Sequence, residues 1–230
     1  MKICLVNFAK GSPRYIKGQS RLKKTFIDNG YEGDFAFYTD ESQLKGCPLH
    51  KEVPYAFKAY ALTEQMKKGY DILIWADSLI TLEKPFIQVL KRIKENGHIL
   101  LLNGWNTGQW CSDKALVTLG ITREESFTYP HMMACLMAWD CSIERNKEFL
   151  RQYQARAEDG TFKGDWKNNK LQVSADKRVL GHRHDQTAAS VIGTNLGIKF
   201  DTHVLRYPVP NENDSSQWPD TVLFLNKGEI

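Results

Sequence analysis

Residues 72–80, ILIWADSLI, decide the fold of this 230-residue chain. Seven of these nine residues are apolar or aromatic, and one carboxylate, Asp77, interrupts the run. A strand this apolar has no face left for water, so we expect it in the middle of a parallel sheet with helices on both sides. Asp77 then falls where the strand leaves the interior, and Leu79, two residues later, is apolar again.

Strand-like and helix-like segments alternate on both sides of this stretch. The apolar runs at 2–9 (KICLVNFA) and 98–103 (HILLLN) are typical of buried strands. Between them, 83–97 (EKPFIQVLKRIKENG) carries apolar residues at helical spacing and ends at Gly97. The alternation predicts an α/β fold, with one Rossmann-like domain over residues 1–230 and a mostly parallel central sheet flanked by helices.

The later part of the chain adds three predicted features. HMMACLMAW (131–139) is expected to join the sheet as an antiparallel strand, and IKFD (198–201) as a short strand. Residues 157–178 are polar and contain several Gly and Asn residues, which predicts a mobile loop. With Phe162 and Trp166, this loop is expected to close as a lid over the acceptor of the reaction.

Charge and cysteine content narrow the class of protein. The net charge of +4 is too small to indicate a nucleic-acid partner. The five cysteines are odd in number and form no CxxC pair, which indicates free thiols in a reducing compartment. No run approaches the ~20 apolar residues of a membrane span, and the apolar run at the N-terminus is too short for a signal peptide. We therefore expect a soluble, cytoplasmic protein without an integral membrane segment.

Basic residues cluster near the N-terminus with no acid among them. The cluster consists of Lys10, Arg14, Lys17, Arg21, Lys23 and Lys24. It fits two interpretations: the solvated face of a loop and helix, or a rim that binds the anionic groups of phosphates or of an acidic acceptor.

Polar residues stand at the ends of three neighbouring apolar runs. Asn7, Asp77 and Asn103 each follow such a run, and ligands of open α/β sheets bind at the carboxyl ends of strands. A turn or helix cap is the alternative role for Asp77. The sequence contains neither GxGxxG after the first strand nor GxxxxGK[ST], which disfavours dinucleotide and P-loop sites.

A second distinctive stretch is GHRHDQTAAS, residues 181–190. His182 and His184 share a face on an extended backbone, and Asp185 opens a helix, where it either faces inward or caps the helix. The histidine pair lacks the third and fourth ligands that zinc needs. The sequence shows neither the Ser/His/Asp order nor the nucleophile elbow of a hydrolase.

The order of these motifs resembles a known family. A strand ending in WADS (75–78), preceded by a helix with Lys58 and followed by HRHDQ (182–186), resembles nucleotide-diphospho-sugar glycosyltransferases of the GT-A fold. The DQ pair before small residues is similar to the retaining, glycogenin-like enzymes. HRHDQ also resembles glycosyltransferase-like proteins whose strand ends in W-x-D-S without a second acid. The resemblance implies a hexosyltransferase-type reaction, with a UDP-sugar donor, a glycan or other hydroxyl acceptor, and retention of configuration.

The resemblance also implies a divalent cation, Mn²⁺ or Mg²⁺, held by the strand-end acid. Such hard ions take oxygen ligands and neutralise the leaving diphosphate. Asp77 matches the first acid of the family motif, and Leu79 stands in the place of the second. His203 is the candidate by chain order for the late histidine ligand of glycogenin-like enzymes.

Further roles follow from the same comparison. Five residues are expected to bind the donor: Asn7, Phe8, Lys58, Asp77 and Ser78. Asp185 and Gln186 match the pair beside the anomeric carbon, where the carboxylate would stabilise positive charge on the sugar. Gln186 is a poor nucleophile, so a front-face reaction with the leaving phosphate as base is favoured over a covalent intermediate. Four residues are expected at the acceptor: Trp105, Trp110, His182 and His184.

Two competing functions share parts of this pattern. The absence of an acid at Leu79 is consistent with a non-catalytic module that binds nucleotide-sugar or glycan. A nucleotidyltransferase that makes the sugar nucleotide is disfavoured, because no Gly-rich loop bearing Lys and Arg follows the first strand.

Overall fold

A mixed β-sheet lies between two layers of helices in the computed structural model, which describes residues 1–207 and 221–227. The strands are β1 (Ile3–Phe8), β2 (Asp34–Tyr38), β3 (Ile72–Ala76), β4 (Ile80–Leu82), β5 (His98–Asn106), β6 (Pro130–Asp140), β7 (Leu205–Arg206) and β8 (Phe224–Asn226). The α-helices are α1 (Pro13–Asp28), α2 (Ala56–Lys67), α3 (Phe86–Asn96), α4 (Asp113–Leu119), α5 (Arg123–Thr128), α6 (Glu144–Glu158) and α7 (His184–Asn195). Short 3-10 turns lie at Glu41–Gln43, Thr107–Trp110 and Asn169–Leu171.

The main sheet has the order β2-β1-β3-β6-β5 within the described residues. β1 pairs in parallel with β2 and β3, whereas β6 is antiparallel to both β3 and β5. β5 therefore runs in the same direction as β3, and β6 is the reversed strand. The sheet is mostly parallel with an antiparallel member near 131–139, as the sequence predicts.

β3 lies at the centre of this sheet and is buried along its whole length. Leu73 and Trp75 belong to the core on one face of the sheet, where α2, α6 and α7 pack. Ile72 and Ile74 belong to the core on the other face, under α1 and α3. Burial on both faces explains why the run ILIWA contains no polar residue, and it confirms the central position predicted for this strand.

Helix boundaries follow local signals in the sequence. α1 begins at Pro13, and the Ser12 hydroxyl accepts a hydrogen bond from the Arg14 backbone N–H. Proline suits a first helical position because its missing N–H would have no partner there. α3 ends at Asn96, and the Gly97 that caps it has a φ of 82°, a left-handed conformation that glycine adopts without strain.

The region near 200 differs from the sequence prediction. Residues 198–201 form no strand, and Asp201 makes only an isolated bridge to Leu101. Beside the main sheet, a second sheet with the order β4-β8-β7 is built from short segments of two or three residues. The apolar run TVLFLN (221–226) predicts a last strand, and β8 lies within it, whereas β4 and β7 are too short to show an alternating pattern.

The segment 157–178 also differs in part from prediction, because Phe162 is fully buried and packs against Tyr153, with the tilted rings' centroids 5.3 Å apart. Trp166 in the same segment is 41 % exposed. The segment is thus anchored to the core by one aromatic residue and presents the other at the surface.

All five cysteines, each within the described residues, are free thiols. Among the helices of residues 1–207 and 221–227, none is long and apolar enough to cross a bilayer.

Gly18 provides a test of how α1 is fixed against the sheet. A Cβ at this position would collide with the backbone carbonyl of Ser78. We expect Gly18→Ala to lower stability, because overpacking costs about 1–3 kcal/mol and outweighs a helix-propensity gain of at most about 1 kcal/mol. The melting temperature should fall by about 2–6 °C. Ser20→Ala, an exposed change on the same helix, is the control and should leave it unchanged; equal melting temperatures for both variants would contradict the close packing.

Candidate functional site

The carboxyl ends of β1 and β3 meet the first half of β6 at one edge of the sheet. The Asp77 backbone N–H donates to the Cys135 carbonyl oxygen at 2.7 Å, which ties the exit of β3 to β6. The Asn7 side-chain amide donates to the Ala76 carbonyl oxygen at 2.6 Å, which ties β1 to β3. Asp77 is therefore held at the strand end where ligands of open α/β sheets bind.

A cavity of about 680 Å³ opens over this edge. Its floor includes Phe8, Asp77 and Ser78, and its walls come from the loop into α1, the loop before α2 and the start of α2 itself. Phe8 stacks nearly parallel on Phe57, with ring centroids 4.2 Å apart. The cavity has the size of small-molecule sites and combines an apolar wall with a few polar groups.

Asn7 is placed beneath this cavity and is fully buried. Its side-chain oxygen accepts hydrogen bonds from Gln19 at 2.8 Å and from the Ser78 hydroxyl at 3.3 Å. Because its amide donates to Ala76, its polar atoms all have protein partners. The structure therefore corrects the donor-binding role expected for Asn7, which joins strands, whereas Phe8 and Ser78 line the cavity.

Lys58 forms the centre of a buried ionic cluster. Its Nζ lies 3.3 Å from Asp77 Oδ1 and 3.1 Å from Asp185 Oδ2. The side chain is only 4 % exposed, yet it lines the cavity. This burial excludes an ordinary solvated position for Lys58 on the surface of α2, and it places the side chain at the cavity.

The cluster changes the protonation of its members. Burial acts to lower the pKa of Lys58, but the charges of Asp185 and Asp77 outweigh it and raise that pKa, so Lys58 stays an ammonium. Burial at the cavity floor raises the pKa of Asp77, against the opposing effects of Lys58 and the Trp75 indole. The Asp77 side chain keeps 38 % of its surface exposed to the cavity, so a ligand can reach it.

Two residues beside the cluster have left-handed backbone conformations that non-glycine residues rarely adopt. Tyr55, before α2, has φ 62°, and His184, at the start of α7, has φ 47°. Their rings are 5.6 Å apart. Such strain costs of order 1–3 kcal/mol per residue and is found where surrounding structure fixes a functional arrangement. The sequence contains no signal for either conformation, so Tyr55 was missed as a site residue.

Asp185 and Gln186 lie at the first turn of α7 but differ in exposure. Asp185 is 2 % exposed, and the Tyr153 hydroxyl donates to its Oδ2 at 3.3 Å. Gln186 is half-buried. Asp185 does not cap the helix, because the N-cap position is Arg183 and no side chain caps it. Asp185 is therefore an ionic partner of Lys58 that lies behind it, and neither Asp185 nor Gln186 is among the described residues that line the cavity.

The two histidines expected at the acceptor are interior residues. His182 is fully buried, with its ring between the Ser112 backbone N–H at 3.3 Å and the Thr161 carbonyl oxygen at 2.8 Å. His184 is 1 % exposed and bonds the Phe162 carbonyl oxygen at 2.9 Å through Nδ1. The structure corrects both assignments, because the rings bind the 161–162 backbone and offer no surface to an acceptor.

The two tryptophans expected at the acceptor lie in an aromatic array beside α7, in which Trp110 is buried. Trp105 is 48 % exposed and meets Trp110 edge-on at 5.7 Å. The Arg183 guanidinium lies between Trp110 and Trp166, 4.0 and 4.3 Å from their ring centroids. Trp166 continues the array to Tyr55 at 6.1 Å, and Tyr55 lines the cavity. The array therefore links Trp105 to the cavity; the sequence showed no pattern that pairs Arg183 with Trp110.

The residues at Asp77 do not fit the divalent-cation site that the sequence predicts. In the small sheet, Leu82 and Leu205 lie opposite Phe224, and Ile80 lies opposite Asn226. His203 precedes Leu205 and Asp77 precedes Ile80, so the two lie beyond opposite ends of this sheet. No group of three or more His, Cys, Asp and Glu side chains suited to a metal occurs within residues 1–207 and 221–227. The cation next to Asp77 is the Lys58 ammonium.

The basic residues near the N-terminus lie in two different environments in the structure. Lys10 lines the cavity and pairs with Asp40 and Glu41. Lys24 pairs with Asp28 on the exposed face of α1 at 2.5 Å. Lys24 thus fits the solvated helix face, whereas Lys10 lies at the cavity with its ammonium paired to two carboxylates.

His182 also generates a stability prediction, because burial lowers its pKa to about 3 from an ordinary value of 6.5. Below pH 6.5 this histidine takes up a proton in the unfolded chain but stays neutral in the folded protein. The free energy of unfolding is therefore highest above that pH and falls as the pH drops. At pH 5 the loss attributable to His182 is about 2 kcal/mol. Urea unfolding at pH 7 and pH 5 should show a smaller loss in His182→Gln than in wild type. Equal losses would show that the ring is not held neutral.

Comparisons with known proteins come from structure, since no protein-family model matches the chain and no curated protein matches it significantly. The bifunctional glycosyltransferase WbbM, in its apo structure, is similar with a TM-score of 0.53 and 7 % identity over 100 % of this chain, which spans 46 % of that protein. Mouse xyloside xylosyltransferase 1, also apo, gives 0.52 and 11 %, covering 99 % of this chain and 98 % of that one.

A third similar structure is the galactosyltransferase LgtC in complex with donor and acceptor sugar analogues. It gives a TM-score of 0.50 and 8 % identity, covering 97 % of this chain and 86 % of LgtC. Identities this low show likeness of fold alone. The chain therefore has a GT-A-like α/β fold, and these three similar structures are glycosyltransferases.

Proposed function

We propose that the protein transfers a sugar from a nucleotide-diphosphate donor, a UDP-sugar, to the hydroxyl of a glycan or glycoconjugate. The observation that carries the proposal is the cavity at the carboxyl ends of β1 and β3, with Phe8, Asp77 and Lys58 around it. In a GT-A-like fold this is the strand edge where ligands bind.

The donor is proposed to lie along the cavity with its base against the aromatic wall. Phe8 and Phe57 are stacked on each other, and such a wall offers an apolar surface for the flat uracil ring. Lys51 also lines the cavity and is proposed to supply positive charge for the phosphates, whereas Lys10 at the same rim is paired with Asp40 and Glu41. The donor sugar then lies over Asp77, whose exposed carboxylate accepts hydrogen bonds from sugar hydroxyls.

Asp185 is proposed to act on the reaction through Lys58 and not by touching the sugar. It is buried behind the lysine and fixes the ammonium with Tyr153, so it is a positioning residue. Retention through a front-face reaction, with the leaving phosphate as base, stays the proposed course. Gln186, half-buried beside Asp185, is proposed to donate or accept hydrogen bonds there.

The acceptor is proposed to bind on the aromatic array next to the cavity. Trp105 and Trp166 are both exposed, and aromatic faces pack against the apolar faces of sugar rings. Arg183, held between Trp110 and Trp166, keeps the two faces at fixed positions.

A non-catalytic module that binds nucleotide-sugar or glycan is the second candidate. It is favoured by the burial of Asp185, which removes one expected catalytic carboxylate from the cavity. It would bind the same ligands and show no turnover.

Turnover separates these two candidates. We expect wild type to hydrolyse or transfer from a UDP-sugar, and Asp185→Asn to lower kcat about a hundredfold with little change in KM, as for a group that matters mainly in the transition state. Tyr153→Phe, which removes only the hydroxyl donor to Asp185, is the matched control and should have a smaller effect. Melting temperatures show whether both variants stay folded. UDP binding without turnover on a broad panel of donors and acceptors would favour the binding module.

A pair of variants tests the two halves of the proposed site. Phe8→Ala should weaken UDP binding by about 1–3 kcal/mol, because a base loses its stacking surface. Trp105→Ala should leave UDP affinity unchanged and raise the KM for a glycan acceptor. Calorimetry with UDP and acceptor titrations in a transfer assay measure the two effects. Weaker UDP binding in Trp105→Ala, or unchanged binding in Phe8→Ala, would contradict this placement.

A further inference from the structure

The Lys58 ammonium has a complete set of partners at the end of β3. Besides Asp77 and Asp185, it donates to the Ala134 carbonyl oxygen at 2.9 Å. An ammonium has three protons, and three oxygens lie within reach of them. The positive charge is therefore held at one point by β3, β6 and α7 together.

Two aromatic rings complete the surroundings of this charge. The Lys58 Nζ lies 5.2 Å from the Tyr55 ring centroid and 5.4 Å from that of Trp75. Ring faces attract cations, and at a buried site this attraction is not weakened by water. The site is built to hold one positive charge.

A divalent cation has no equivalent place beside this charge. Mn²⁺ and Mg²⁺ need several oxygen ligands, and Leu79 supplies none where a second carboxylate would stand. Asp77 Oδ1 already accepts a hydrogen bond from the Trp75 indole N–H at 2.7 Å and faces Lys58. A second cation at Asp77 would be repelled by the ammonium, which cannot leave because it is part of the chain.

We propose that Lys58 takes the place of the divalent cation, so that this site binds its nucleotide-sugar ligand without a metal. The identity of the ligand rests on the proposed function; the replacement of the metal by Lys58 does not. Asp77 then serves as a hydrogen-bond acceptor for a sugar hydroxyl, and the phosphates rely on lysines that the chain itself supplies.

Manganese titration of the protein alone tests the replacement directly. The signal of free Mn²⁺ in electron paramagnetic resonance should be the same with wild type and with Asp77→Asn at Mn²⁺ concentrations up to about 1 mM. Lys58→Met should bind Mn²⁺ at least about tenfold more tightly than wild type. Without the ammonium, the carboxylates of Asp77 and Asp185 have no positive charge between them and can bind the ion. Wild-type Mn²⁺ binding that Asp77→Asn abolishes would overturn the proposal.

Calorimetry with UDP provides the second readout. Wild-type affinity should agree within about twofold between excess Mn²⁺ and EDTA, and an increase of about tenfold or more with Mn²⁺ would overturn the proposal. Lys58→Met should bind UDP more weakly in EDTA and recover with Mn²⁺, whereas Lys58→Arg keeps the charge and should show no recovery.

The two readouts fail separately. If UDP does not bind under either condition, the proposed function fails, and the Mn²⁺ titration still decides the role of Lys58. If circular dichroism shows that Lys58→Met is unfolded, the titrations of wild type and Asp77→Asn decide it without that variant.

Discussion

A buried positive charge at the end of an apolar strand is the constraint on which the site depends. An ammonium removed from water is costly unless opposite charges and hydrogen-bond acceptors surround it. Asp77, Asp185 and the Ala134 carbonyl meet that requirement for Lys58. Since these groups come from β3, α7 and β6, the cost of the charge fixes the relative positions of three segments that are distant in sequence.

The same constraint explains the division of roles at the site. The side of the cluster that faces the interior is closed by Asp185 and Tyr153, and the side that faces the cavity presents Asp77. Left-handed residues stand at the starts of α2 and α7, and their rings lie 5.6 Å apart beside the cluster. Beyond the cavity, the Arg183 guanidinium lies between the rings of Trp110 and Trp166. These three residues continue the aromatic array and add no carboxylate to it.

Much of the fold could be predicted from the sequence, because the burial of apolar residues determines it and leaves a pattern in the sequence. The double-sided apolar run of β3 places it at the centre of the sheet, and Gly97 marks the end of α3. The site was readable only in part, since periodicity says which face a residue occupies but not which atoms it meets. Asp77 was found through its position at a strand end, and Lys58 through the resemblance of the motif order to glycosyltransferases. The histidines of HRHDQ were misassigned because polar residues in a motif resemble ligand-binding residues even when the backbone of a distant loop is their partner.

The Lys58 cluster also bears on the order in which the molecule assembles. Its members belong to segments that become neighbours only after the sheet has formed across β6 and after α2 and α7 have docked on it. Contacts between segments so distant in sequence form slowly, because the intervening chain must first be ordered. A partly folded chain therefore has neither the cluster nor the cavity floor. Any ligand of this cavity binds the completed fold alone, and its concentration shifts the folding equilibrium toward that state.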